Sequence, residues 1–445
     1  MATRLIHRSC FTTLLLVLLF ATGHSGHAQT AAPAGPAASS ASQPAPSAYA
    51  LPPDKLAKAI TLTRIRTAIG FADTGWGILS MLLLIVLGVP AKFRDWAVAA
   101  SKYRWVQCLI FVPLFFLTTT IVGLPLDLYS QHIERAYGQS VQGWPSWTGD
   151  QFKSLLLSFV IGVLIVMLLF WVIRKSPKRW WLWFWLASLP IIALLVFIAP
   201  VVIDPIFDKF EPLQQSDPAL VTRLEEVVHR GGMVIPPERM FLMKASAKYT
   251  GINAYVTGFG ASKRVVVWDT SISKATPDEI SFIFGHEMGH YVLNHIYKTM
   301  GFIAGLLLVM LCLAYYSVHW LVRRFGAAWK IPSVDDWAAL AILMLILSVF
   351  SFLSEPMLNA YSRAHEHAAD VYGQEVIHGI VANPQQVARA SFQLLGESYL
   401  DDPNPRPFIE FWTYSHPSTA HRAAFAASYN PWAPGQKPKY FPPEK

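Results

Sequence analysis

A mainly α-helical, polytopic membrane fold is what this sequence predicts, and three observations carry it. Of 445 residues, 53% are hydrophobic and 14% charged, against roughly 25% charged in a soluble domain. The apolar residues gather into runs of about 20, the length that crosses a bilayer. The strong bases between those runs alternate from loop to loop, as in a chain threaded back and forth through a membrane. The 36 Lys and Arg against 28 Asp and Glu leave a balance of +8, too dilute without basic clusters or a matching motif for a nucleic-acid binder. Cys10, Cys108 and Cys312 lie inside or beside apolar runs, so neither a thiolate metal site nor a disulfide framework is expected.

The amino end reads as a signal peptide or anchor over residues 1–28. Arg4 and Arg8 precede an apolar stretch from Phe11 to Ala21, and Gly26 and Ala28 are spaced for cleavage before Gln29. Residues 29–60 read as a tether, because Thr30 to Ala50 is almost entirely Ala, Pro, Ser and Gly and cannot bury a core. Four apolar segments follow within residues 61–203, centred on Gly70 to Val89, Trp105 to Leu126, Ser154 to Ile173 and Trp180 to Ile203. Two more, Met300 to Val322 and Trp337 to Ser354, lie within residues 300–358. All but the first lack charged residues, and most carry Trp or Tyr near an end, where those side chains favour the membrane interface. Asp73 makes the first the weakest span.

Lys92, Arg94, Lys102 and Arg104 fill one loop, Arg174, Lys175, Lys178 and Arg179 another, and Arg323, Arg324 and Lys330 a third. The positive-inside rule makes these loops cytoplasmic. Asp127 to Gln151 carries only Arg135 as a strong base and belongs outside. By alternation, Asp204 to Thr299 and the tail after Glu355 also lie outside. Lys55, Lys58, Arg64 and Arg66 run against this scheme, since they put positive charge on the outer side.

Residues 204–299 read as a folded polar domain. Leu220, Leu224, Val227 and Val228 recur at helical spacing over Pro218 to Arg230, and Gly231 and Gly232 supply a stop. Asn253 to Phe259 and Arg264 to Trp268, separated by Gly260 to Lys263, suit a hairpin. Thr276, Pro277 and Glu279 make a capping-box start for a further helix.

That helix contains HEMGH at 286 to 290. His286 and His290, four apart, share one face and can offer two imidazole nitrogens to a tetrahedral zinc. Glu287 projects close to that face without being a ligand, and is placed to act as general base in peptide hydrolysis. A catalytic zinc takes a third protein ligand. Glu366, in NAYSRAHEHAAD, is a candidate, with Arg363 and Asp370 one turn to either side on the same face. By spacing alone Glu366 is equally a surface charge. Asp370 could hold the remaining ring N–H of a ligating histidine. His365 and His367 point away from Glu366 by about 100° each and are read as solvent or packing residues.

HEMGH followed by Asn294 and His295, NAYVTG at 253 to 258, SKRVVVWDT at 262 to 270, SRAHEHAAD and YSHP at 414 to 417 together resemble the type I CAAX prenyl proteases. PIFDKFEPL at 205 to 213 extends the likeness, which runs in order from about Leu62 to the tail. The resemblance implies a helical membrane protein enclosing a zincin-like metallopeptidase domain with a small β-hairpin edge, and one Zn2+ per chain. It implies that Glu366 is the third ligand, and that Asn253 and Ala254 lie on an exposed edge strand where substrate is held by main-chain hydrogen bonds. His416 matches a family histidine that stabilises the oxyanion, although spacing alone makes it a loop residue before Pro417. Arg422 matches a family arginine whose role, substrate binding or structural pairing, stays open; Arg363 leans structural. Residues 359–445 would then hold the third-ligand helix and the catalytic tail.

Family members cut prenylated CAAX proteins on the cytosolic side. Here a secretion-type leader and tether stand where the family has its first span, and the loop charges put the site on the outer face. The expectation is therefore a metalloendopeptidase of the bacterial inner membrane, its site periplasmic, acting on extended, unfolded or membrane-associated polypeptides. CAAX-type carboxyl-terminal processing is the alternative. The expected partners are a polypeptide substrate and the lipid bilayer.

Overall fold

A computed structural model describes residues 48–258 and 263–442. The leader, residues 29–47 of the tether and the turn at 260–262 lie outside the described residues. The chain enters α1 (Pro53–Val86), turns at Gly88 with φ 71° into α2 (Val89–Ala100), and continues through α3 (Arg104–Ala136) and α4 (Trp144–Lys175). Next comes α5 (Trp180–Ile198), which runs on through a π turn to Phe207. The polar domain follows with β1 (Phe210–Pro212), α6 (Pro218–Arg230), β2 (Met240–Met243), β3 (Ala254–Thr257), β4 (Arg264–Trp268) and α7 (Pro277–Val292). Helices α8 (His295–Trp329) and α9 (Ala339–Val376) return to the apolar region, and α10 (Pro384–Tyr399), α11 (Pro407–Thr413) and α12 (Thr419–Ser428) complete the polar domain.

Six of these helices, α1, α3, α4, α5 with its extension, α8 and α9, are long and apolar enough to cross a membrane. The chain is an integral, multi-pass membrane protein. Helix α1 starts at Pro53, so residues 53–60 belong to the first helix rather than to the tether, and Val89, expected in the first span, opens α2. No apolar run announces α2.

Among the described residues two large hydrophobic cores form, with a small third cluster of Met243, Ala245, Val266 and Trp268 at the sheet. One gathers residues such as Phe111, Phe170, Trp180 and Leu311 with the start of α9, Ala339 to Leu347. The other joins Leu224, Val265, Phe284 and Phe392 to Tyr372 and Val376 of the same α9. The last apolar run and the NAYSRAHEHAAD segment, divided at residue 358 in the sequence reading, are thus one helix of 38 residues.

The loops sort to opposite ends. At one, Arg94 pairs with Asp336 and donates to the Lys330 carbonyl, while Arg104 and Arg174 lie over the Trp337 ring. At the other, the segment after α3 joins the polar domain. Val141 N–H donates to the Lys248 carbonyl, and the Lys248 ammonium bridges Asp150 at 2.7 Å and Asp208 at 3.2 Å. Two of the bases that run against the charge alternation lie at this end in ion pairs: Lys55 with Glu397 at 3.0 Å, and Arg66 with both oxygens of Glu134 at 2.7 and 2.8 Å.

The sheet is larger than the expected hairpin. Its order is β1-β2-β4-β3, with β2 parallel to β4 and both outer pairs antiparallel. Short strands β1 and β2 carry no alternation long enough to read. Strand β3 is an edge.

Candidate active site

Helix α7 begins where its caps dictate. Thr276 Oγ1 accepts the Glu279 N–H, the Glu279 carboxylate accepts the Thr276 N–H at 2.7 Å, and Pro277 occupies the first turn. Gly285 and Gly289 then face α9. A Cβ on Gly285 would lie 2.7 Å from Val376, one on Gly289 3.0 Å from Tyr372, and one on Gly373 2.8 Å from the His286 backbone nitrogen. Small residues on both helices therefore allow a close crossing, and α7 meets α9 beneath Glu366.

His286, His290 and Glu366 are all buried, with ligand atoms within 4.8 Å of one another. His286 Nε2 lies 3.0 Å from one Glu366 oxygen, His290 Nε2 lies 2.8 Å from the other, and the two nitrogens are 3.2 Å apart. Two imidazole nitrogens and a carboxylate, converging inside the protein, match the donor set of a divalent metal with one position left open.

A further layer holds these groups. Asp370, one turn beyond Glu366, accepts from His286 Nδ1 at 2.8 Å. Arg422 on α12 donates through Nε and Nη2 to both Asp370 oxygens, and its Nη2 is 3.4 Å from Glu366. Only 9% exposed, Arg422 sits behind the ligands. Of its two open roles, structural pairing is the one this geometry favours. His290 Nδ1 lies 3.0 Å from Nδ1 of His295, a contact that the sequence reading missed. The glycine pair flanking His286 was missed too, although GHEMG displays the small-xxx-small spacing. His365 packs edge-on to His295, and His367 edge-on to Phe425.

Glu287 is partly exposed, and burial nevertheless pushes its carboxyl above the ordinary glutamate range. Strand β3 packs alongside α7, and the Tyr291 hydroxyl donates to the Gly258 carbonyl at 3.2 Å. Asn253 turns its main chain inward: its N–H donates to Ser271 Oγ, and its carbonyl accepts from Trp268 N–H and Ser271. Because main-chain groups alternate in an antiparallel pair, those of Ala254 and Val256 point away from β4; Ala254 is buried and Val256 half-buried. His416 lies between α11 and α12, its Nδ1 3.1 Å from Ser415 Oγ. Arg363 donates to the carbonyls of Glu410, Phe411 and Tyr414 at 3.1, 3.2 and 2.8 Å, which ties this loop to α9.

Residues 214–430 match the family described as Peptidase family M48, and residues 37–209 the one described as CAAX prenyl protease N-terminal, five membrane helices. A Bacillus subtilis protein named uncharacterized metalloprotease YhfN is 36% identical over 386 residues, 86% of this chain and 88% of that protein. CAAX prenyl protease 1 of Saccharomyces cerevisiae is 30% identical over 363 residues, 78% of this chain and 76% of that one. The crystal structure of S. mikatae Ste24p matches with a TM-score of 0.72 at 26% identity, covering 84% of this chain and 89% of that chain. With both halves matched in order, and with a buried His-His-Glu group where a metal-dependent hydrolase needs one, the chain belongs to peptidase family M48 and is a membrane metallopeptidase of the type I CAAX prenyl protease kind.

Proposed function

We propose that the metal is zinc and that the enzyme is an endopeptidase of the bacterial inner membrane, cutting extended, unfolded or membrane-associated polypeptides on the periplasmic side. The observation that carries this reading is the convergence of His286, His290 and Glu366 beside an open strand edge. When bound, zinc would polarise the scissile carbonyl and acidify the attacking water. The chain's own groups do the rest. Substrate pairs in extended form along β3, reaching the outward main-chain groups of Val256 beside the buried Ala254, whereas Asn253 shapes that edge from behind. Glu287 takes the proton of the attacking water and delivers it to the leaving amine. His416, on the loop that Arg363 holds, steadies the developing oxyanion. Asp370 and Arg422 fix His286.

The substitution Glu287→Gln in purified protein is expected to leave zinc bound while cutting peptide hydrolysis by at least about 100-fold. Cleavage at the native rate would overturn the assignment.

The orientation rests on the segregation of loop bases to the end opposite the metal group. CAAX-type processing is favoured instead by the match of residues 37–209 and by relatives named CAAX prenyl protease 1. A farnesylated CAAX peptide trimmed at its carboxyl end, alongside an unmodified extended peptide left uncut, would establish that second reading.

A further inference from the structure

The two ligand histidines are supported unequally. His286 Nδ1 faces the Asp370 carboxylate at 2.8 Å, whereas His290 Nδ1 faces a second imidazole, Nδ1 of His295, at 3.0 Å. We infer that His295 is the positioning residue of ligand His290, accepting its Nδ1 hydrogen and so committing its Nε2 to the metal. This rests on the reading of His286, His290 and Glu366 as the metal ligands.

The argument is one of tautomers. His290 Nε2 is the nitrogen directed at Glu366, 2.8 Å away, and at His286 Nε2, 3.2 Å away. A neutral imidazole that coordinates through Nε2 keeps its hydrogen on Nδ1. Two Nδ1 atoms 3.0 Å apart need one donor and one acceptor, so His295 must be the acceptor and carry its own hydrogen on Nε2. His295 has little freedom to do otherwise. It is 5% exposed, and the His365 ring stands edge-on to it, centroids 4.2 Å apart. His365 is oriented in turn by its Nδ1, which donates to the Tyr361 carbonyl at 3.1 Å.

His295 stands five positions after His290, one more than the helical spacing of four that brings side chains together. The chain makes up the difference at Asn294, whose φ of 59° ends one helix and opens α8. His295 is the first residue of α8, so the contact joins the metal group to a membrane-crossing helix. His286 is tied to α9, itself membrane-crossing, through Glu366 and Asp370, and to Arg422 of α12.

The test uses the full chain in detergent and Zn2+ itself, titrated against a competing chelator, with the visible spectrum of the Co2+-loaded protein as a second readout. Outer residues of this kind contribute roughly 10–100-fold to metal affinity. His295→Phe keeps the ring volume, removes the acceptor and is expected to weaken Zn2+ by that factor and to shift the Co2+ bands. His295→Asn, whose amide oxygen falls near the lost Nδ1, should restore most of the affinity. His295→Gln, with its acceptor one bond further out, should not. Zn2+ held by the Phe and Gln variants as tightly as by the native protein would overturn the inference. If the Phe variant does not fold, the Asn and Gln variants alone decide, since equal affinity in those two has the same force. Native protein that fails to bind Zn2+ would sink the metal reading instead.

Discussion

Burial alone would lower the His286 imidazole, but Glu366 at 3.0 Å and Asp370 at 2.8 Å outweigh it and push the group up to about 10. Without metal the ring therefore keeps a proton at neutral pH, and a ligating histidine must lose it. Metal uptake near pH 7 is expected to release a proton, and affinity to fall as pH is lowered. Calorimetry in buffers of different ionisation enthalpy measures this, and a heat independent of buffer would contradict it. Asp370→Asn removes the charge from behind His286 and should weaken Zn2+ by about 10–100-fold in chelator competition. At this scale the sequence was informative wherever partners are close along the chain. His286, Glu287 and His290 declare themselves by helical spacing, and Asp370 by standing one turn from Glu366. Arg422 kept two readings open because its partner is 52 residues away, and His295 escaped because its partner lies across a helix break.

Among elements, the crossing of α7 and α9 matters most, because it brings Glu366 over the histidine pair. Gly373→Ala would set a methyl group 2.8 Å from the His286 backbone nitrogen, which cannot swing aside as a side-chain tip would. The expected result is a loss of about 1–3 kcal/mol of stability together with lost metal. Gly305→Ala on α8, with nothing within 4 Å of the new atom, should leave both unchanged. Thermal melting and metal content of the two variants make the comparison. Helices α6 and α7 were legible from caps and periodicity, whereas β1 and β2 were not, since three or four residues are too few to show a period of two. Helix α9 was read as two pieces because its composition changes from apolar to polar along its length, although its backbone does not break.

On the scale of the whole molecule, the orientation proposed above rests on the loop charges. At one end Arg94 pairs with Asp336 and donates to the Lys330 carbonyl, and the metal group lies toward the other. A reporter fused after Lys445 should therefore be active outside the cytoplasm, and cytoplasmic activity would reverse the orientation and restore CAAX processing. Lys55 and Arg66, which run against the pattern, pair with Glu397 and Glu134, partners far away in sequence that only folding brings close. The unbroken course of α9 has a mechanical side. Its 38 residues span about 57 Å, bilayer-embedded at one end and carrying Glu366 toward the other, with Pro356 inside the helix between them. A membrane too thin or too thick tilts a spanning helix, and a tilt carried past Pro356 would displace the Glu366 oxygens, so metal content and activity are expected to vary with lipid chain length, and equal values in thin and thick bilayers would refute this.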